Sequence, residues 1–206
     1  MIAIIDYDAG NIRSVEKAVK KLGFDPLTTR DSDEIKRASH VILPGVGAFG
    51  DAMDKLHRFG LVPVIKESAD CGKPFLGICL GEQLIFEKSE ESPGVQGLAL
   101  LKGEVKKLPS DKGLKVPNIG WNSVEIHKNS PIFKDIDDGE FFYFVHSYYV
   151  HAEDRSIASA TIEYGVIADA AVEKGNIFAT QFHPEKSSDM GLRVLNNFLR
   201  LCTPNV

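Results

Sequence analysis

FLGICLGEQL, residues Phe75 to Leu84, holds one of only three cysteines in the chain. An apolar run reaches Cys79 and breaks there into a turn, with Gly77 two residues before the thiol and Gly81 two residues after it. Free cysteine is a small hydrophobe and is commonly buried, which is the plain interpretation. The alternative is a nucleophile elbow, in which a strand ends in a sharp turn and a helix leaves from it, the glycines clearing space around the thiol. A helix through LGEQLIFEKS would set Cys79 at its positive N-terminal end and favour thiolate over thiol.

The flanking sequence supports a strand here. IAIID (2–6), HVILPG (40–45) and KPFLGIC (73–79) are short apolar runs, DPLTTR (25–30) is a plausible further strand, and helical stretches lie between them. The first helix shows a stripe at Ile12, Val15, Val19 and Leu22, with Gly23 where a C-terminal glycine belongs. Continuously apolar strands separated by helices indicate a parallel sheet covered on both faces. From Gly97 to Gly165 the texture changes to short alternating segments such as GEVKKLP, WNSVEI and GEFFYFVHSYYV, which predict antiparallel strands and hairpins. AAVEK and IFATQF add two more strands. A closing helix carries Leu192, Leu195, Phe198 and Leu199, with Ser187 or Ser188 placed to cap it. The expected fold is α/β, an open and mostly parallel sheet with helices on both faces and added antiparallel strands in the second half. No linker or repeat divides it, so residues 1–206 are expected to form one domain.

At 206 residues, 43% hydrophobic and 26% charged, with a net charge of −5, the chain has globular composition and no signal for nucleic-acid or membrane partners. No run approaches the roughly 18 apolar residues of a membrane span. The acidic start MIAIIDYDAGN lacks the features of a signal peptide. Cys71, Cys79 and Cys202 have unrelated spacings, which suggests neither a disulfide framework nor a zinc site. A reducing cytoplasm is the expected compartment, and no metal or cofactor is expected. Gly45, Gly47 and Gly50 in PGVGAFG form a G-x-G-x-x-G, but it follows the third strand, and the acidic residue expected at the end of the next strand is missing. What is left is a glycine loop at the carboxyl end of a strand, where open α/β sheets bind ligands. The N–H of Leu80 would face the same space, giving backbone donors for a developing oxyanion.

A nucleophilic thiol needs a histidine base, and the base needs a carboxylate. His40, His57, His127 and His151 have structural or solvated contexts, while His146 follows a strongly apolar strand. His183 stands out because QFHPEKS places a strand end, His183, Pro184 and Glu185 within three residues, Pro184 holding the other two in a fixed relation.

GICLG together with FHPE resembles the class I (triad-type) glutamine amidotransferase family, whose architecture is flavodoxin-like. DYDAGN, LPGVGAFGDAM, GICLGEQLIF, SPGVQGL, VPNIGWN, YFVHSYY and QFHPEKSS follow the order of one subfamily, the glutaminase subunits of imidazole glycerol phosphate synthase in histidine biosynthesis. The resemblance implies Cys79 as nucleophile, His183 as acid/base and Glu185 as orienting carboxylate. It implies Gly45, Val46, Gly47 and Leu80 at the oxyanion site, and Gln83, Glu91, His146, Ser147 and Tyr148 around substrate glutamine. Asn11, Asn118, Trp121, Tyr143, Lys186 and Ser188 would face a (β/α)8 cyclase subunit that makes imidazole glycerol phosphate and AICAR. Thiolate attack on the side-chain amide would give a γ-glutamyl thioester and ammonia, and water would then release glutamate.

Two positions depart from the pattern. Glu82 stands where the family usually has an apolar residue, often Met, and is expected to point away from the thiol along the helix surface. Asn118 replaces the His of the usual PHMGWN. The same chemistry serving a paralogous synthase, a non-catalytic binding subunit on this fold, and a cysteine peptidase are the competing readings. The complete Cys79, His183 and Glu185 set opposes the second, and the partner-facing motifs oppose the third.

Overall fold

The computed structural model describes residues 1–110 and 113–202. Its first half alternates strand and helix, with two helices between the third and fourth strands: β1 (Ile2–Ile5), α1 (Ile12–Lys21), β2 (Pro26–Thr29), α2 (Ser32–Arg37), β3 (His40–Gly45), α3 (Phe49–Arg58), α4 (Leu61–Asp70), β4 (Phe75–Cys79) and α5 (Leu80–Leu84). The second half is strand-rich: β5 (Lys88–Ser89), β6 (Gly103–Lys107), β7 (Asn118–Ser123), β8 (Glu125–Ile126), β9 (Phe141–His146), β10 (Tyr148–Ala152), β11 (Ala158–Glu163), β12 (Ile167–Lys174) and β13 (Ile177–Thr180), closed by α6 (Ser188–Leu199).

Strands β2-β1-β3-β4-β13 lie side by side and all parallel. This is the flavodoxin-like order, whose ligand crevice opens at the carboxyl ends of the strands near the β1/β3 switch point. Beyond β13 the sheet continues through β12, β10, β6 and β5, antiparallel down to the parallel β6/β5 edge, with β11 paired to β12 and β8. Strands β7 and β9 form a separate antiparallel pair.

β1, β3 and β4 are buried at every position because both faces are covered. Ile2, Ile4, Ile42, Leu76 and Ile78 pack against Val15 and Val19 of α1 and Val194 and Phe198 of α6. Ala3, Ile5, Val41 and Leu43 face the other way, against Ile35, Met53, Val64, Ile65 and Leu84 from α2 to α5. The expected layering is therefore present. Among the described residues no helix is long and apolar enough to cross a membrane.

Three local expectations fail. The helix after Cys79 stops at Leu84 rather than running through LGEQLIFEKS, because the returning chain takes its carbonyls: Leu98 N–H donates to Leu84 O at 2.8 Å and Leu100 N–H to Ile85 O at 2.9 Å. Lys88–Ser89 is instead the edge strand β5. Neither serine caps α6 through its side chain; the Ser187 hydroxyl accepts from Tyr143 N–H (2.9 Å) and donates to His183 O (2.7 Å). Strand β11 was not foreseen as a separate element.

Candidate active site

Cys79 ends β4 directly beside Gly45, its ladder partner at the end of β3. Its backbone sits at φ 55°, ψ −109°, a conformation that a non-glycine residue holds only where the surroundings enforce it. The glycines explain the enforcement. A Cβ at Gly81 would stand 1.9 Å from Leu43 O, and one at Gly77 would stand 2.8 Å from Gly81 O. One at Gly45 would meet the Tyr7 hydroxyl at 2.5 Å and Leu80 Cβ at 2.9 Å. These glycines let β3, β4 and the first turn of α5 touch backbone to backbone, rather than clearing room for the thiol itself. Tyr7 locks the other side by donating its hydroxyl to Pro44 O at 2.9 Å.

His183 reaches the same point from the loop after β13, the other neighbour of β4. Its Nδ1–H donates to Glu185 Oε1 at 2.8 Å, and both side chains are essentially sealed from solvent. Asn11 Nδ2 donates to the same Glu185 oxygen at 2.5 Å. The Nε2 of His183 makes no protein hydrogen bond of good geometry, yet the Cys79 sulfur is close enough to act on it. Burial disfavours the imidazolium, but the sulfur and the Glu185 carboxylate outweigh burial and raise the His183 pKa to about 9.

A cleft in front of the sulfur is lined by Val46, Gly47, Cys79, Leu80, Gln83, Glu91, His146, Ser147, Tyr148 and Lys186, together with Pro117 and Val145, which the sequence did not single out. Glu91 is anchored where its Oε2 accepts from Phe49 N–H at the start of α3 (2.7 Å). His146 is buried and neutral: burial lowers its pKa to about 4, outweighing the Tyr148 carbonyl that its Nδ1–H meets at 2.9 Å. Its Nε2 is then an acceptor, for Asn118 Nδ2 at 3.1 Å.

Two of the six positions expected at a partner surface point inward. Asn118 is buried, tied to His146 and to Asn122 Nδ2 (3.2 Å), because the inward face of β7 packs on the molecule. Asn11, in the left-handed region that Asn tolerates, aims at Glu185. Trp121, Lys186 and Ser188 are exposed, and Tyr143 is half-buried with its ring edge-to-face to Trp121. Gln181 was overlooked altogether; it is fully buried with its amide against the Cys79 sulfur.

Glu82 overturns its expectation. It is completely buried, and neither carboxyl oxygen has a hydrogen-bond partner. Burial, with the nearby charges of Asp169 and Cys79 adding to it, pushes its pKa well above the ordinary value. The folded protein thus favours the neutral acid, whereas the unfolded chain ionises near 4.3. Stability is lost as pH rises from that value towards the folded pKa. We therefore expect Glu82→Met to stabilise the chain by about 2 kcal/mol at pH 8 and by less at pH 5.5, read from urea unfolding at both pH values. A destabilised variant at pH 8 would contradict this account of Glu82.

Residues 3–202 match the family described as glutamine amidotransferase class-I. The chain is similar to the imidazole glycerol phosphate synthase subunit HisH of Caldanaerobacter subterraneus subsp. tengcongensis, 52% identical over 198 residues, with 96% of this chain and 97% of that protein covered. The protein of the same name from Syntrophotalea carbinolica is 50% identical over 203 residues, covering 96% and 98%. Among solved structures, one described as a glutamine amidotransferase superposes with TM-score 0.76 at 17% identity, covering 97% of each chain. PurLQS from Thermotoga maritima gives 0.75 at 22%, covering 96% of each. At such identities these two structures bear on the fold alone.

Proposed function

The chain belongs to the class-I glutamine amidotransferase family, and on that footing we propose that it is the glutaminase subunit of an imidazole glycerol phosphate synthase, supplying ammonia to a (β/α)8 cyclase in histidine biosynthesis. The observation that carries the chemistry is a thiol on a strained elbow facing the free nitrogen of a histidine whose other nitrogen is held by a buried carboxylate. Cys79 attacks the side-chain amide carbon of glutamine. His183, charged while the thiolate stands beside it, gives its proton to the leaving ammonia, and a γ-glutamyl thioester remains. His183 then takes a proton from water as that water attacks the thioester, and glutamate leaves.

Backbone N–H groups of Leu80 and of the Gly45–Val46–Gly47 loop are the proposed oxyanion donors. Glu91 is a fixed carboxylate suited to the substrate α-ammonium group. Both N–H bonds of the Gln83 amide are spent inside the protein, on Tyr148 O and Gln181 Oε1, so Gln83 can offer substrate only its carbonyl.

The proposed docking face is the outward side of the β7–β9 pair. Ile119, Trp121 and Phe141 are 62%, 49% and 56% exposed, and the register sets Trp121 opposite Tyr143 and Ile119 opposite Val145. Large apolar side chains grouped on one strand face mark an interaction surface. Trp121→Asp combined with Ile119→Asp is expected to weaken cyclase binding by about a hundredfold without altering the melting temperature of the free chain. Unchanged affinity in titration calorimetry would move the interface elsewhere.

A further inference from the structure

We propose that Gln181 is a positioning residue for the nucleophile, its side-chain amide donating a hydrogen bond that holds the Cys79 sulfur as an acceptor. The proposal rests on the glutaminase reading above. Gln181 directly follows β13 and is wholly buried. Its Nε2 lies 3.6 Å from Cys79 Sγ, within reach of an N–H···S contact.

The direction of this bond is fixed from outside the pair. Tyr148 O is a backbone carbonyl and can only accept. Gln83, 3.0 Å away, must therefore turn its Nε2 towards Tyr148. The same Nε2 stands 2.9 Å from the Gln181 side chain, so the Gln181 atom there is the acceptor Oε1. That leaves the Gln181 NH2 group, and not its carbonyl, pointing at sulfur. A flipped Gln181 amide would set its oxygen against the lone pairs of a Cys79 thiolate and donor against donor at Gln83.

An N–H donor facing sulfur discriminates between its states. A thiolate accepts strongly, as hydrogen bonds to ionised groups do, while a thiol or thioester sulfur accepts weakly. Gln181 thus favours the thiolate before attack and again when the thioester collapses and sulfur departs. Since Gln83 and Tyr148 border the substrate cleft, the relay also ties the orientation of the thiol to the wall that receives glutamine.

The test uses the full chain carrying Cys71→Ser and Cys202→Ser, with Cys79 alkylated by iodoacetamide across pH. The titratable groups acting on the sulfur or facing it are His183 from the loop after β13, Tyr7 from the loop after β1 and Glu82 from α5. None of these is altered by changing Gln181. Gln181→Met is expected to slow alkylation at pH 7 about tenfold and to move the pH midpoint upward, with the parent rate recovered on the alkaline plateau. Gln181→Asn, which keeps a buried amide but withdraws it by one methylene, is expected to do the same and serves if the methionine variant does not fold. Profiles that superpose on the parent would overturn the role of Gln181. Ammonia release by the unmodified chain with cyclase present tests the underlying reading separately: a chain active there, with superposed profiles, loses only the Gln181 proposal.

Discussion

His183→Ala is expected to lower ammonia release from glutamine by about a thousandfold or more, and Glu185→Gln to cost distinctly less. The difference follows from what each side chain touches. His183→Ala removes the proposed donor of a proton to the leaving ammonia and the proposed acceptor of one from the attacking water. Glu185→Gln keeps an oxygen that can accept the Nδ1–H, now bonded at 2.8 Å, and loses the charge that favours imidazolium. Asn11 Nδ2 donates to the same oxygen, Oε1, at 2.5 Å, so an amide oxygen in that place keeps both contacts, and the new NH2 group falls at the position of Oε2, which has no hydrogen-bond partner. The double variant His183→Ala/Glu185→Gln should be scarcely worse than His183→Ala alone, because groups acting as one unit are non-additive. Steady-state kinetics on the four proteins checks this, and two small additive losses would contradict a coupled pair.

The second large effect is activation by the partner. Glutamine hydrolysis by the chain alone is expected to be slow, and to rise about a hundredfold when the cyclase is bound together with its own nucleotide ligand. Free ammonia is protonated in water and lost to the acceptor, so turnover without a docked acceptor is wasteful. A physical path for the coupling exists in strand β9. Tyr143, on the proposed docking face, accepts from His183 N–H at 3.0 Å and donates its own N–H to Ser187 Oγ, which in turn bonds His183 O. Two residues on, Val145 O lies 4.0 Å from Cys79 Sγ. A shift of β9 on docking therefore reaches both ends of the catalytic pair. Gly47, at φ +101°, gives the loop after β3 a peptide that can reorient at little steric cost, while Val46 is exposed beside it. Equal rates for the free chain, the complex and the liganded complex would defeat this coupling.

The parallel half of the fold was legible because most of its strands are local apolar runs. HVILPG predicts His40–Gly45 to the residue, since its own apolar run marks it as a strand covered on both faces. α5 was not legible. LGEQLIFEKS has helical composition, and only the return of Leu98 and Leu100 across its carbonyls ends it at Leu84. β11 was missed for a related reason: it owes its place to pairing with β12 on one side and β8 on the other, a relation between distant segments.

The site shows the same division. Sequence motifs pointed to most of the residues that the structure gathers around the sulfur, but not to the directions of their side chains. Glu82 looked like a surface position because a first helical turn usually welcomes a carboxylate; here that turn is pressed between α3 and the sheet, and Glu82 faces inward. Asn118 sits in a motif whose next odd positions, Ile119 and Trp121, do face out, and a strand alternates. Gln181 gave no signal because its role depends on a carbonyl at Tyr148, 33 residues away, relayed through Gln83.

Whether Cys79 forms the covalent bond to substrate is read by peptide mass spectrometry after incubation of the cyclase-bound chain with a glutamine analogue bearing an electrophile at the amide position. One equivalent of label is expected on the peptide carrying Cys79, with ammonia release lost in proportion and protection by excess glutamine. Label confined to the exposed Cys71 or Cys202, with activity falling in step, would contradict that role for Cys79.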